Sequence, residues 1–189
     1  VGSEMCIRDR IDAMQTFGCE FVQIYGLTET TGGISVLEHA DHDPEGPRSH
    51  LLRSCGKAIS THNIKILDRD SDKEMPEGEV GEICVAGPKV MKSYWRNDEA
   101  TNDSFIDGWF RTGDAGYLND GYLYIHDRVK DMVISGGENI YPAEIEACLI
   151  SHPAVADCAV FGIPDDDFGE SLCACVQVES GQNSVSYTH

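Results

Sequence analysis

Residues 108–146 read GWFRTGDAGYLNDGYLYIHDRVKDMVISGGENIYPAEIE, and this stretch decides the fold. Trp109-Phe110-Arg111-Thr112-Gly113-Asp114 sets a carboxylate directly after a glycine, on a turn leading into the alternating runs Tyr117-Leu118 and Tyr122-Leu123-Tyr124-Ile125. Asn119-Asp120-Gly121 between those runs is a strong hairpin signal, because such residues tolerate the positive φ of a tight turn. Charge then replaces alternation at Asp127-Arg128-Val129-Lys130-Asp131, which reads as a joint between two bodies. The next apolar run, Met132-Val133-Ile134, ends at Ser135-Gly136-Gly137. Paired glycines there let another backbone or a ligand come close, and successive N–H groups can form an anion-binding nest. Pro142 opens a helix, with Glu144 and Glu146 in its first turns, at the positive end of the dipole.

Working outward, residues 11–17 read as the end of a helix stopped by Gly18. Phe21-Val22-Gln23-Ile24 follows as a buried strand delivering a loop at Tyr25, the arrangement of a parallel α/β sheet whose ligands bind beyond the carboxyl ends of its strands. Residues 38–53, rich in His, Asp and Pro, read as a surface connection. From 54 to 125 short strands alternate with turns, including Asn63-Ile64-Lys65-Ile66-Leu67 and Glu82-Ile83-Cys84-Val85-Ala86, which predicts a small β-barrel-like subdomain. Beyond the joint, Ile145, Cys148, Leu149 and His152 fall on one helical face, and strands are expected at 158–161 and 172–178. The fold class is thus α/β and α+β: the end of a large domain, then a small α+β domain.

The formal net charge of −19, from 14 basic and 33 acidic residues, argues against a general nucleic-acid or anionic-membrane surface. No run approaches the roughly 20 apolar residues of a membrane span, and no signal segment opens the chain, so a cytoplasmic location is expected. The eight cysteines include no C-x-x-C pair and mostly sit in apolar runs, the pattern of reduced, buried structural thiols.

Residues 108–146 resemble the end of the large domain and the start of the small domain of the adenylate-forming acyl-CoA synthetases. Tyr25-Gly26-Leu27-Thr28-Glu29-Thr30-Thr31-Gly32 is similar to that superfamily's signature for the nucleotide α-phosphate and magnesium. Gly81-Glu82-Ile83 with Gly87-Pro88, Met91 and Tyr94-Trp95 is a weaker match. The resemblance covers residues 11–182 and implies a large domain over 11–127, a hinge at 128–131 and a truncated small domain over 132–182. Residues 1–10 and 183–189 match nothing in the family pattern and read as a non-native leader and tail.

The resemblance implies a reaction in two halves. A carboxylate attacks the ATP α-phosphate to give an acyl-adenylate and pyrophosphate, and the thiol of coenzyme A then displaces AMP. Charge gathers on the phosphorus oxygens, so a hydroxyl from Thr28 and a hard oxygen from Glu29 for Mg²⁺ suit the first half. Tyr25 and Gly26 would belong to the nucleotide site, Tyr25 stacking on adenine. Asp114 would accept from both ribose hydroxyls, and Arg128 would add a charge-assisted contact. The bland alternative is that Asp114 and Arg128 simply pair with each other. Lys130 would be the hinge residue for rotation of the small domain between half-reactions. Ser135, Gly136, Gly137 and Glu138 would form the loop at the coenzyme A tunnel, with a tight structural turn as the competing reading.

The family's upstream phosphate loop and its C-terminal catalytic lysine are not found in this sequence, so the chain alone is expected to make no adenylate. The wording of 127–146 looks closest to medium- and long-chain fatty-acid CoA ligases. An aryl-CoA ligase, a carrier-loading adenylation enzyme and a non-catalytic nucleotide-binding module remain alternatives. Asp68, Asp70, Asp72, Glu74 and Glu79 fit five positions of a calcium-loop template, but Lys73 stands where its glycine belongs and Pro76 interrupts it, so an acidic hairpin loop is expected. His39, Asp41, His42 and Asp43 read as a solvated polar loop.

Overall fold

The computed structural model describes residues 3–179, so the 183–189 tail lies outside the described residues. The chain divides into two compact units, Ser3–Val129 and one that begins at Lys130. Among the described residues no helix is long and apolar enough to cross a membrane.

The first unit opens with helix α1 (Ser3–Phe17), which runs through the stretch set apart as a leader. It ends as expected: Gly18 takes φ +58° and donates its N–H to the Met14 carbonyl at 3.0 Å. Eight strands follow, with helix α2 (Asp98–Asp103) between the fifth and sixth: β1 (Gln23–Leu27), β2 (Gly32–Leu37), β3 (Lys57–Ala58), β4 (Asn63–Leu67), β5 (Gly81–Ala86), β6 (Phe105–Ile106), β7 (Trp109–Asn119) and β8 (Tyr122–Arg128). They form one sheet in the order β1-β2-β3-β8-β7-β5-β4, with β6 on β7.

Two expectations are corrected here. Every strand pair among the described residues is antiparallel, so Tyr25 lies within β1 of a hairpin and not in a loop beyond a parallel strand. The expected barrel is an open sheet whose ends are β1 and β4. β1 is not buried either: at the sheet's end it turns Gln23, Tyr25 and Leu27 inward, while Ile24 is 62% exposed.

The Asp120-Gly121 turn is as the sequence foretold, with both residues at positive φ (50° and 75°) and Asn119 paired with Tyr122. Two clusters make the core, Ile34 with Val85 and Phe110, and Ile66 with Ile83 and Leu123; Tyr25 packs against both. Burying one such side chain contributes about 1.5–3 kcal/mol. The acidic 68–74 loop is a hairpin, closed by a bridge between Leu67 and Glu74, with Asp68 accepting from the Ser71 N–H at 2.8 Å. The polar 38–53 connection forms two short 3-10 turns and buries Leu51 and Leu52.

The second unit carries β9 (Val133–Ser135), β10 (Glu138–Ile140), α3 (Pro142–Ile150), β11 (Val155–Asp165) and β12 (Gly169–Val178), in sheet order β10-β9-β12-β11. Pro142 occupies the first turn of α3 as expected, with Glu144 near it. The predicted apolar face is corrected at Cys148, which is exposed; Pro142 and Ala143 are the buried residues. Of the described cysteines only Cys84 is buried, where burial pushes the thiol up to about 12; the expectation of buried thiols is corrected for the others.

Two buried histidines make stability pH-dependent. His42 and His62 are 7% and 3% exposed, and the Nε2 of each has no partner. Burial, aided by Arg10 beside His42 and Lys89 beside His62, holds both below the ordinary 6.5. A depressed histidine contributes stability that is complete above 6.5 and lost as pH falls through the lower folded value. The melting temperature should therefore drop between pH 7.5 and pH 5, and less steeply in a His42→Gln/His62→Gln protein. Equal slopes would rule these two groups out.

Candidate functional site

Three chain irregularities in the first unit build one cavity of about 1090 Å³, walled by β1, the Thr28–Thr30 turn and the 110–114 segment of β7. The first lies in the β1–β2 hairpin. Tyr25 pairs with Ser35 but Gly26 pairs with Gly33, so Ile34 is an extra residue, turned into the core at 0% exposure. Leu27 then enters a 3-10 turn, Thr28–Thr30, pinned by buried Thr30, whose hydroxyl lies 2.9 Å from the Leu27 carbonyl and 2.7 Å from that of Gly32. Thr28 is left exposed and Glu29 half-buried on the cavity wall.

The second lies between β5 and β7. Glu82 pairs with Ala115 and Cys84 with Arg111, so residues 112–114 together face Ile83 alone. Gly113 makes the kink at φ +73°, and the Thr112 hydroxyl binds the Ile83 carbonyl at 2.8 Å. Asp114 is thereby pushed out of the ladder into the wall, its own N–H donating to Thr112 Oγ1 at 3.1 Å.

The third lies between β7 and β8. From the turn inward Gly116 pairs with Ile125, but Ala115 pairs with Asp127 and Asp114 with Arg128. Unbroken register would have set Asp114 against Asp127, two like charges. The bulge at His126 exchanges Asp127 for Arg128.

The result is a fixed carboxylate. Asp114 Oδ2 accepts from the Tyr25 hydroxyl at 2.6 Å, and Oδ1 lies 3.0 Å from Arg128 Nε. Burial, then the Asp114 charge, pushes the Tyr25 phenol well above its usual range, so it stays protonated and donates. The pairing of Asp114 with Arg128, held open as the bland alternative, is present in the structure. Tyr25 has its hydroxyl tied to Asp114, a contact the sequence did not suggest.

Across the cavity, Glu29 Oε1 accepts from the Tyr94 hydroxyl at 3.0 Å. Arg111 donates to buried Glu82 at 2.7 Å and also meets Asp72. Sequence reading quoted Glu82 and Arg111 only within motif stretches and gave no wall role to them or to Asp103 and Ser104. Their separate positions in the chain gave no signal. The lining holds Glu29, Glu82, Asp103 and Asp114 against Arg111 and Arg128. Arg111 answers Glu82 and Arg128 answers Asp114, and among the described residues no ion pair answers Glu29 or Asp103. A polyanionic ligand entering this wall requires a cation of its own.

The remaining predicted residues lie elsewhere. Lys130 sits in the 3-10 turn Val129–Asp131. In the second unit, Ser135 pairs with Glu138 across a two-residue turn, Gly136-Gly137, at φ 60° and 87°. The tight-turn reading of these glycines is present, and one N–H of the expected nest, that of Gly136, donates to the Phe168 carbonyl at 2.9 Å.

Comparison with known proteins agrees with this geometry. The profile of the AMP-binding enzyme family matches residues 1–95, and that of the AMP-binding enzyme C-terminal domain matches residues 144–188. The first match takes in the opening ten residues that the sequence reading set apart. A fatty acid–acyl-carrier-protein ligase from Streptomyces coeruleorubidus is 43% identical over 172 residues, 90% of this chain and 32% of that protein. A 2-succinylbenzoate–CoA ligase from Bacillus licheniformis is 46% identical over 168 residues, 88% of this chain and 32% of that one. Among solved structures, o-succinylbenzoate CoA synthetase from Bacillus subtilis, in complex with its acyl-adenylate intermediate, superposes with a TM-score of 0.78 at 41% identity. That likeness covers 91% of this chain and 34% of the other. The chain thus spans about a third of the length of the relatives it matches. With just over half of its residues under one profile and about half of the rest under the companion C-terminal profile, this chain belongs to the AMP-binding enzyme family.

Proposed function

We propose that the chain is the nucleotide-binding C-terminal third of an ATP-dependent, AMP-forming carboxylate–CoA ligase. The observation that carries this reading is the convergence of Tyr25, Asp114, Arg128, Thr28 and Glu29 on one cavity of the first unit. Asp114, oriented at both oxygens, would accept the ribose hydroxyls through its remaining lone pairs. Arg128, half exposed, would be free to lean toward the ribose or phosphate edge. The Thr28 hydroxyl would bind the α-phosphate.

Glu29 fits Mg²⁺ as a single hard oxygen donor, since magnesium commonly takes one or two carboxylates and completes its shell with substrate phosphates and water. Bound there, magnesium would offset the charge that gathers on the phosphate oxygens. Coenzyme A would be met by the 135–138 turn, and Lys130 would be the hinge.

The acid is a carboxylate whose class the relatives leave open, one being named for a fatty acid and another for 2-succinylbenzoate. The test uses the whole protein that carries this chain. Pyrophosphate release should depend on the acid and thioester formation on coenzyme A, across acetate, benzoate and fatty acids of rising length. A medium or long fatty acid is expected to be the best substrate, and preference for an aromatic acid would move the assignment to an aryl-CoA ligase. Nucleotide binding with no pyrophosphate release for any acid would sink the ligase reading. Lys130→Pro, which fixes φ and removes an N–H, should slow thioester formation more than pyrophosphate release. Equal loss in both steps would sink the hinge.

A further inference from the structure

The segment 87–94 runs across the Thr28–Thr30 turn and holds it at three points. The Met91 N–H donates to the Glu29 backbone carbonyl at 2.7 Å, and the Thr31 hydroxyl donates to the Lys89 carbonyl at 2.9 Å. The third point is the Tyr94 hydroxyl on Glu29 Oε1 at 3.0 Å. Tyr94 is in turn fixed by its own backbone, whose N–H donates to Thr101 Oγ1 at 3.0 Å on α2 (Asp98–Asp103). Glu29 is therefore gripped at main chain and side chain by one segment, and among the described residues Tyr94 is the side-chain partner of its carboxylate.

We propose that Tyr94 is a positioning residue for the cation site: its phenol holds one oxygen of Glu29 so that the other is presented to magnesium in a single orientation. This rests on the nucleotide-site reading above. A free glutamate on a half-exposed turn samples several rotamers, and ordering it at the moment of binding takes free energy away from the metal contact. A partner that orders the carboxylate beforehand typically changes metal affinity by about 10–100-fold.

The test, on the whole protein, is calorimetric binding of ATP as magnesium is varied, compared with binding in chelator. Tyr94→Phe keeps the ring and removes the donor. It should raise the magnesium concentration needed for half-maximal effect about tenfold, with the loss confined to the magnesium arm. In a Glu29→Gln background the same change should add nothing. A Tyr94→Phe protein with wild-type magnesium dependence, while Glu29→Gln has lost it, would overturn the positioning role and leave the nucleotide site standing. Equal loss with and without magnesium would make Tyr94 a plain wall contact and overturn it too. Magnesium-independent binding by the wild type would overturn the cation site and this proposal together.

Discussion

Replacing Asp114 with alanine is expected to reduce ATP affinity of the whole protein about 100-fold and to destabilise this unit by about 1–3 kcal/mol. The affinity figure follows from losing two hydrogen bonds to a charged acceptor, at about 1.5 kcal/mol each, with each 1.4 kcal/mol worth a factor of ten. The stability figure has a different source. Asp114 is 6% exposed and is the acceptor for the Tyr25 hydroxyl, so its removal leaves a donor among the core clusters with nothing to bind. Loss of the Arg128 partner matters less, because that side chain is 56% exposed and water replaces the carboxylate. Calorimetric binding and chemical denaturation separate the two effects. The phenol of Tyr25 should also titrate lower in the variant, since one of the influences raising it is gone. Unchanged ATP affinity would end the ribose assignment, whereas unchanged stability would mean that the Tyr25 hydroxyl finds water.

Gly26→Ala should be costly to the fold. A Cβ at Gly26 would stand 2.1 Å from the Gly32 carbonyl oxygen, and the obstacle is backbone, not a side chain that can swing away. The hairpin β1–β2 must open for the methyl to fit. We expect a loss of about 3 kcal/mol, near the top of the usual range for overpacking. Because Gly26 precedes the Thr28–Thr30 turn by one residue, the opening should also displace Thr28 and Glu29. Denaturation midpoints measure the first effect and the magnesium dependence of ATP binding the second. A variant of wild-type stability would show that the close approach of Gly26 to Gly32 is not needed. The same geometry gives Gly26 a reason to be glycine without any ligand: it lets two strands of one hairpin touch.

Much of this protein was determined by local sequence alone. The Asp120-Gly121 and Gly136-Gly137 turns, the stop of α1 at Gly18 and the start of α3 at Pro142 all depend on the φ preferences of one or two residues, which act without reference to the rest of the chain. The signature residues Thr28, Glu29, Asp114 and Arg128 were legible through a resemblance of motif, and they line one cavity.

What the sequence could not decide was pairing. The strand at 21–24 reads as apolar and therefore buried, but its partner is the very next strand and it lies at the sheet's end, so alternation leaves Ile24 outside. A parallel sheet and a barrel were equally compatible with short apolar runs, because hydrogen-bond direction and closure depend on which strands meet across the sheet. The bulges are the sharpest case. Counting back from the Asp120-Gly121 turn places Asp114 opposite Asp127, and only the extra residue at His126 brings Arg128 there instead. Likewise, the contacts of Tyr25 with Asp114 and of Tyr94 with Glu29 join residues 89 and 65 positions apart. Side-chain identity supplied the donors and acceptors of this site; the tertiary structure, by fixing register and bringing distant turns to one wall, decided which of them meet.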